Sequence, residues 1–343
     1  MTTGSSVPTP PAATGVGSLP GTDFAEALRM VNGLLGEGPG LPYLPELPAR
    51  GVGADLVGRG AALLVDLHAE VQPSGWRLVD HPGRDARRAV GFLHSDLDDV
   101  EEFSQGYNGP LKVQVTGPWT LAASLELHYG DRMLADRGAC RDLAGSLAQG
   151  VADHLAQVRK RVPGAQLVLQ LDEPSLPGVL SGEVPTASGF GRLRAVPEPV
   201  AREALRAVID AAEVPVIVHC CAARYPFDVV RTAGAAGFSF DWSLLGTRSD
   251  DTIAEAVEAG MLLYAGVVPS LDPAPPAKPN QDLTWRAVRE DLLGLGRLGF
   301  SAAQVARALV VTPSCGLAGA SPAWARRATE MCADTARALA EDL

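Results

Sequence analysis

The stretch "PVAREALRAVIDAAEVPVIVHCC" (Pro199 to Cys221) contains the repeating unit that decides the fold. Its first part, "PVAREALRAVIDAA", carries apolar side chains at three- and four-residue spacing, which predicts an amphipathic helix. A short apolar run rich in β-branched residues follows almost at once and ends in a histidine and two cysteines, which predicts a buried strand. A helix that leads directly into such a strand is one unit of a parallel α/β fold.

The same unit recurs along the chain. Eight short apolar runs, separated by segments of helical period, are the predicted strands: 13–18, 41–46, 111–116, 166–172, 214–219, 237–241, 262–267 and 308–312. This rhythm predicts the α/β class and a single-domain (β/α)8 TIM barrel. An open doubly wound sheet is the alternative, and it is less favoured because the first turn, "GVGSLPG", lacks the spaced glycines of a dinucleotide site.

The charge and composition of the chain limit the classes of partner that it is expected to bind. The formal net charge is −11 and no basic cluster is longer than "RKR" at 159–161, which argues against binding of nucleic acid. No apolar run approaches the roughly 20 residues of a membrane helix, so no membrane partner is expected. Residues 1–13 lack a signal-peptide pattern and are predicted to be a flexible tail before a catalytic domain at 14–343. We therefore expect a cytoplasmic protein that acts on small molecules.

The five cysteines argue against a disulfide framework, because their number is odd and the chain is large. Cys140 and Cys332 lie in segments of helical pattern, and we interpret them as packing residues. The other three cysteines lie at the ends of predicted strands, and so do most of the polar residues of interest. In a barrel the carboxyl ends of the strands gather the chemistry, so these are the candidate site residues: Ser18, Glu46, Asp172, His219, Cys221, Asp241 and Cys315.

His219 and Cys221 are two residues apart on a strand end and therefore face the same side, whereas Cys220 faces the other side and is interpreted as packing. Imidazole and thiolate are preferred ligands of Zn²⁺. Cys315, at the end of the last predicted strand, is the expected third ligand. Asp241 can supply an oxygen as the fourth, or leave that position to water or substrate. The sequence thus predicts a zinc site.

Several motifs together resemble a known family. They are "GVGSLPGT" at 15–22, "LPELPAR" at 44–50, "LKVQVTGPWTLAAS" at 111–124, "LQLDEPSL" at 169–176, and His219-Cys220-Cys221 with "PSCGL" around Cys315. The chain resembles the barrel-forming catalytic half of cobalamin-independent methionine synthase, which is grouped with uroporphyrinogen decarboxylase. The resemblance implies a zinc-dependent S-methyltransferase that converts homocysteine to methionine. It also implies that Ser18, Glu46 and Asp172 hold the amino-acid end of the substrate.

The chain departs from the family pattern at two places. Asp241 stands at the strand end where the family has a glutamate ligand, and the loop after the seventh predicted strand, "GVVPSLDP", has no histidine.

Folate-using members resemble two fused barrels, while 343 residues form only one. The methyl donor is thus methyl-corrinoid or methylfolate, and we expect a corrinoid or another small activated donor in preference to methylfolate, because a methylfolate nitrogen needs a proton donor. Asp272 is the candidate substitute acid.

Two other functions are compatible with parts of the sequence. A uroporphyrinogen decarboxylase-like enzyme would share the barrel without a metal, but it would require arginines near the N-terminus, where "GVGSLPGTDFAEALR" offers only Arg29. A non-catalytic zinc- or thiol-binding barrel is the second alternative. Metal content distinguishes the first from a methyltransferase, and turnover with a methyl donor distinguishes the second.

Overall fold

The computed structural model describes residues 8–246, 249–274 and 283–343. Among them, seven strands form one parallel sheet in the order β1-β9-β8-β7-β6-β5-β4, and two form an antiparallel hairpin, β2–β3. The strands are β1 (Ala12–Ala13), β2 (His68–Gln72), β3 (Gly75–Val79), β4 (Pro110–Thr116), β5 (Gln166–Asp172), β6 (Val216–Cys220), β7 (Gly237–Asp241), β8 (Leu262–Val268) and β9 (Leu309–Pro313). The predicted α/β class with a parallel sheet is confirmed.

The helices of the described residues lie between these strands. They are α1 (Phe24–Leu35), α2 (Leu56–Ala62), α3 (Arg84–Phe103), α4 (Pro118–Ser124), α5 (Arg137–Arg161), α6 (Leu176–Ser181), α7 (Glu198–Ala212), α8 (Phe227–Ala233), α9 (Asp250–Glu258), α10 (Trp285–Leu293), α11 (Ala302–Ala308) and α12 (Pro322–Ala340). The predicted unit at 199–221 is therefore α7 followed by β6. In the described part of the chain, no helix is both long and apolar enough to cross a membrane.

The prediction of a continuous strand at 41–46 is wrong. Its backbone does run beside both edge strands, through isolated bridges that pair Ala13 with Gly40 and Tyr43 with Lys112. Pro42 and Pro45 lack the N–H group that a ladder requires, so only some residues of the segment can donate to a neighbour. The segment lies between β1 and β4 without forming a regular strand.

The first predicted strand is also shorter than expected. β1 comprises only Ala12 and Ala13, and both are fully buried against β9, which they pair in parallel. The ordered fold thus begins inside the stretch predicted as a tail, of which residues 1–7 lie outside the described residues. The sequence also contains a proline-rich stretch, "SLDPAPPAKPN" at 270–280, which is predicted to be a loop, and its residues 275–280 lie outside the described residues as well.

The sheet curls so that its inner face encloses a small core of its own. A buried cluster joins Ala12, Leu41, Ile217, Leu262, Tyr264 and Val310. Ile217 belongs to β6 and Ala12 to β1, and three strands separate these two in the sheet order. Because a flat sheet would keep them well apart at about 4.8 Å per strand, their common cluster shows the curvature that brings distant strand ends together.

Candidate metal and substrate site

The carboxyl ends of the parallel strands meet at one edge of the sheet, and the register places polar residues there side by side. Asp172 at the end of β5 pairs with His219 on β6, and His219 pairs with Ser239 on β7. In parallel strands, paired residues project to the same face. The sequence-predicted Asp172 and His219 are therefore neighbours.

His219, Cys221 and Cys315 form a group whose ligand atoms all lie within 4.8 Å of one another. Cys221 follows β6 and Cys315 follows β9, with β7 and β8 between them in the sheet. The two thiols meet only because the sheet curls. His219 is buried, while both cysteines are partly exposed, so the group opens toward solvent on its thiol side.

The ring of His219 is held by one nitrogen and leaves the other without a partner. Nδ1 lies 2.9 Å from the hydroxyl oxygen of Ser239, and Nε2 is buried without a hydrogen-bond partner among the described residues. Donation from Nδ1 to Ser239 leaves the Nε2 lone pair available, which is the usual arrangement of a metal-binding histidine. Sequence reasoning missed Ser239, although its position two residues before Asp241 on one strand was a usable signal.

The thiols of Cys221 and Cys315 lie 2.7 Å apart and form no disulfide. A hydrogen bond from the Cys221 thiol, together with the neighbouring His219, lowers the pKa of Cys315 to about 4. The same hydrogen bond raises the pKa of Cys221. Of the two thiols, Cys315 is therefore the one that loses its proton more readily.

Cys220 and Asp241 lie outside this group. Cys220 is fully buried, and burial raises its pKa to about 12, so it remains a thiol. Oδ1 of Asp241 accepts hydrogen bonds from the backbone N–H and the hydroxyl of Ser243, at 2.9 and 2.6 Å. Its role as a fourth ligand stays a prediction.

Ser18 lies against the turn that carries Cys315. The backbone N–H of Leu317 donates to the carbonyl oxygen of Ser18 at 2.8 Å, and a Cβ added at Gly316 would collide with the Ser18 hydroxyl. Only glycine at 316 therefore permits this close approach. Ser18 also forms a parallel bridge with Glu46, so the structure brings these two predicted residues together.

The Glu46 carboxylate is already paired within the protein. It is buried, and its Oε1 lies 3.2 Å from Nε of Arg59. The Nη1 atom of the same arginine lies 2.8 Å from Oδ2 of Asp96. Asp96 also binds Arg50. Burial of such a pair is favourable only when hydrogen bonds satisfy both charges, and this network provides them.

Asp172 has a different environment. Its Oδ1 accepts a hydrogen bond of 2.7 Å from the side-chain amide of Gln170, and burial raises its pKa. The buried Lys112 lies near it without direct contact, and burial lowers the pKa of that ammonium group. Lys112 was not singled out in the sequence, because a lone lysine in an apolar strand gives no sign of the face it occupies.

Glu173, adjacent to Asp172, has a structural role. It is fully buried and accepts hydrogen bonds from the backbone N–H groups of Trp119 and Thr120 at the start of α4, and from the Thr120 hydroxyl. Burial raises its pKa to about 7. The acidic pair Asp172-Glu173 thus divides into one residue beside His219 and one that holds the start of α4.

Sequence comparison identifies the family. The profile described as "Cobalamin-independent synthase, Catalytic domain" matches residues 11–338. The chain belongs to this family. The resemblance predicted from the motifs is confirmed, and with it an enzyme of the cobalamin-independent methionine synthase type, that is, a methyltransferase. A search of curated proteins finds no match to the chain.

Structural comparison agrees with this membership at the level of the fold. A B12-independent methionine synthase from Shewanella sp. W3-18-1, solved in complex with selenomethionine, superposes with a TM-score of 0.61. It is 13% identical, and the match covers 97% of this chain and 98% of that one. A putative lyase/mutase from Burkholderia cenocepacia J2315 is 14% identical over 69% of this chain and 63% of that one, and its TM-score of 0.30 is too low to support an argument.

Proposed function

We propose that the chain is a zinc-dependent S-methyltransferase that methylates homocysteine to methionine in a closed (β/α)8 barrel. The observation that carries the proposal is the group of His219, Cys221 and Cys315 at the strand ends of a chain of this family. In the proposed barrel, the segment at 39–46 takes the eighth position between β1 and β4, since it donates to both: from Leu41 to Ala13 and from Leu44 to Lys112.

The donor set fits zinc. Zn²⁺ is typically bound by imidazole and thiolate groups. This group offers one imidazole, whose buried Nε2 has no hydrogen-bond partner among the described residues, and two thiols 2.7 Å apart. His219, Cys221 and Cys315 would hold it, and the Oδ2 atom of Asp241, which the Ser243 bonds leave free, is the proposed fourth ligand. When bound, zinc supplies the chemistry that converts the substrate thiol to a thiolate at neutral pH.

The acidic side of the site is proposed to bind the amino-acid end of homocysteine. Asp172 and Glu46 are carboxylates that suit an ammonium group, and the Ser18 hydroxyl suits the substrate carboxylate. Ser18 lies beside the Cys315 turn and Asp172 pairs with His219, so the groups proposed for the two ends of the amino acid lie at the same strand ends as the thiols.

The methyl donor is proposed to be a methyl-corrinoid or another small activated donor rather than methylfolate. Asp272, the candidate acid for a folate nitrogen, accepts hydrogen bonds from the backbone N–H and hydroxyl of Ser321, at 2.7 and 2.6 Å. These bonds lower the pKa of Asp272, so the residue is ionised at neutral pH and is a poor proton donor. A corrinoid leaving group needs no such proton.

Zinc-edge absorption spectra of the purified protein, with and without homocysteine, test the metal and the acceptor together. We expect one zinc per chain with nitrogen and sulfur ligands, and one additional sulfur ligand after homocysteine is added. A spectrum that does not change with homocysteine would rule out this thiol as the ligand.

The donor is tested by assaying homocysteine methylation with methylcobalamin and with methylfolate at equal concentration. Robust turnover with methylfolate would contradict the corrinoid proposal.

A further inference from the structure

Lys112 has a polar environment that needs an explanation, because it is a fully buried lysine inside the curled sheet. Its ammonium group donates to Oε1 of Gln170 at 2.7 Å and to the carbonyl oxygen of Val16 at 2.8 Å. Among the described residues, none of its hydrogen bonds goes to a carboxylate. Burial disfavours the charged form of this lysine, and the negative charges that oppose this effect on its pKa are those of Asp172 and Glu46.

Gln170 connects that ammonium to the site. Its Nε2 donates to Oδ1 of Asp172 at 2.7 Å and to the Val16 carbonyl at 2.8 Å. The direction of the amide is fixed by the Val16 carbonyl oxygen, which can only accept a hydrogen bond and therefore faces Nε2 of Gln170. Gln170 must therefore turn its oxygen to Lys112 and its nitrogen to Asp172.

This arrangement constrains one oxygen of Asp172 and leaves the other available. No other hydrogen bond to the Asp172 carboxylate is found in the part of the chain that the structure describes. The contrast with Glu46 is informative, because Glu46 contacts the guanidinium of Arg59 directly. A carboxylate held by a neutral amide retains more of its charge for an incoming ammonium than one that is neutralised by an arginine.

We propose that Gln170 is a positioning residue for substrate recognition: with its amide fixed by the Val16 carbonyl oxygen, it orients Asp172 so that the free carboxylate oxygen binds the substrate ammonium. The inference rests on the proposed function, because it takes an amino-acid thiol as the substrate. It concerns only the ammonium, and it leaves the thiol and its activation to the other side of the site.

Gln114 provides a matched control. It lies on β4 in register with Gln170 on β5, so the two amides share a face of the sheet, and it is equally buried. The Gln114 amide donates to the carbonyl oxygen of Leu44, and no hydrogen bond from it to a carboxylate is found among the described residues. The same substitution at the two positions therefore removes a buried amide in both cases, but a hydrogen bond to Asp172 in only one.

The test is calorimetric binding to the zinc-loaded protein under reducing conditions, with L-homocysteine and with its deamino analogue γ-mercaptobutanoate. Gln170→Met should weaken homocysteine binding about tenfold and change mercaptobutanoate binding by less than about twofold. Gln114→Met should change either affinity by less than about twofold. If Gln170→Met proves unstable in thermal unfolding, Gln170→Asn serves instead, since its amide is too short to reach Asp172, and the same result is expected.

Equal weakening of both ligands by the Gln170 variants, no weakening of either, or the same split in Gln114→Met would overturn the proposal. A wild-type protein that binds homocysteine no more tightly than mercaptobutanoate would overturn it as well, because no ammonium would be recognised. Failure of methyl transfer in a turnover assay contradicts the proposed function instead, and the binding comparison remains valid in that case.

Discussion

The two sides of the candidate site differ in how much the protein satisfies its own polar groups. On the thiol side, Nε2 of His219 has no hydrogen-bond partner among the described residues, and the thiols of Cys221 and Cys315 lie 2.7 Å from each other. On the acidic side, Glu46 is paired with Arg59, and Asp172 is bound by Gln170. Because buried polar groups are normally satisfied, the unsatisfied side is the one that the proposed zinc ion would complete. On the acidic side, contacts within the protein already hold both carboxylates in place, as the proposed recognition of a substrate ammonium would require.

The largest expected effect concerns the thiol side. Replacing Cys315 by Ala removes the thiol that loses its proton more readily, and we expect zinc content to fall more than tenfold and methyl transfer to be lost. Cys220→Ala is the matched control, because this neighbouring thiol is buried outside the ligand group and should retain zinc. Metal analysis of both purified variants is the measurement, and equal loss of zinc from the two would contradict the ligand assignment.

The second effect concerns the acidic side. Asp172→Asn keeps the shape of the side chain but removes the charge that is proposed to bind the substrate ammonium, and a charged hydrogen bond of this kind contributes about 1.5 to 3 kcal/mol. We expect homocysteine binding to weaken about 10- to 100-fold, while binding of a simple alkyl thiol should change little. Titration of each thiol into the zinc-loaded variant measures this. Equal weakening of the two thiols would mean that Asp172 does not recognise the amino group.

The third effect concerns His154, whose pKa is lowered in part by Arg59, the partner of Glu46. His154 on α5 is buried, and burial together with the nearby Arg59 and Arg161 lowers its pKa from 6.5 to about 4. The folded state therefore binds fewer protons than the unfolded state between pH 6.5 and 4, and the stability from this group is lost as the pH falls through that window. At pH 5 the loss relative to neutral pH is about 2 kcal/mol. His154→Gln should remove this component, which urea unfolding at pH 5 and pH 7 will measure; an unchanged pH dependence would show that His154 is not held neutral.

The smallest effect concerns the support of the thiol side. Ser239→Ala removes the hydrogen bond that orients the His219 ring, and we expect zinc affinity to fall about tenfold, as is typical when a group behind a metal ligand is removed. Ser146→Ala is the control, because Ser146 bonds the carbonyl oxygen of Val65 on a distant element. Competition with a zinc chelator measures both variants. Unchanged affinity in Ser239→Ala would mean that the ring is held by packing alone.

Much of this arrangement could be predicted from the sequence, and the exceptions have physical causes. Short β-branched runs identified the strands, since β-branched residues suit a buried parallel sheet. The segment at 41–46 was misinterpreted because its apolar pattern is that of a strand, while its prolines prevent a continuous ladder. Gln170 was missed because a glutamine within an apolar run has no distinctive spacing, and Ser239 was missed although it shares a strand face with Asp241.

The sequence by itself determined the repeating strand and helix units, the family, and the residue types at the strand ends. These are local properties: each strand ends where its apolar run ends, and the next residues project at the edge of the sheet. Only the tertiary structure decided which strand ends meet. Cys221 and Cys315 are 94 residues apart in the chain, and two strands separate β6 from β9 in the sheet. Their contact, like the alignment of Lys112, Gln170 and Asp172, depends on the curl and register of the sheet. Curl and register arise from packing between distant segments, so no single segment of the sequence determines them.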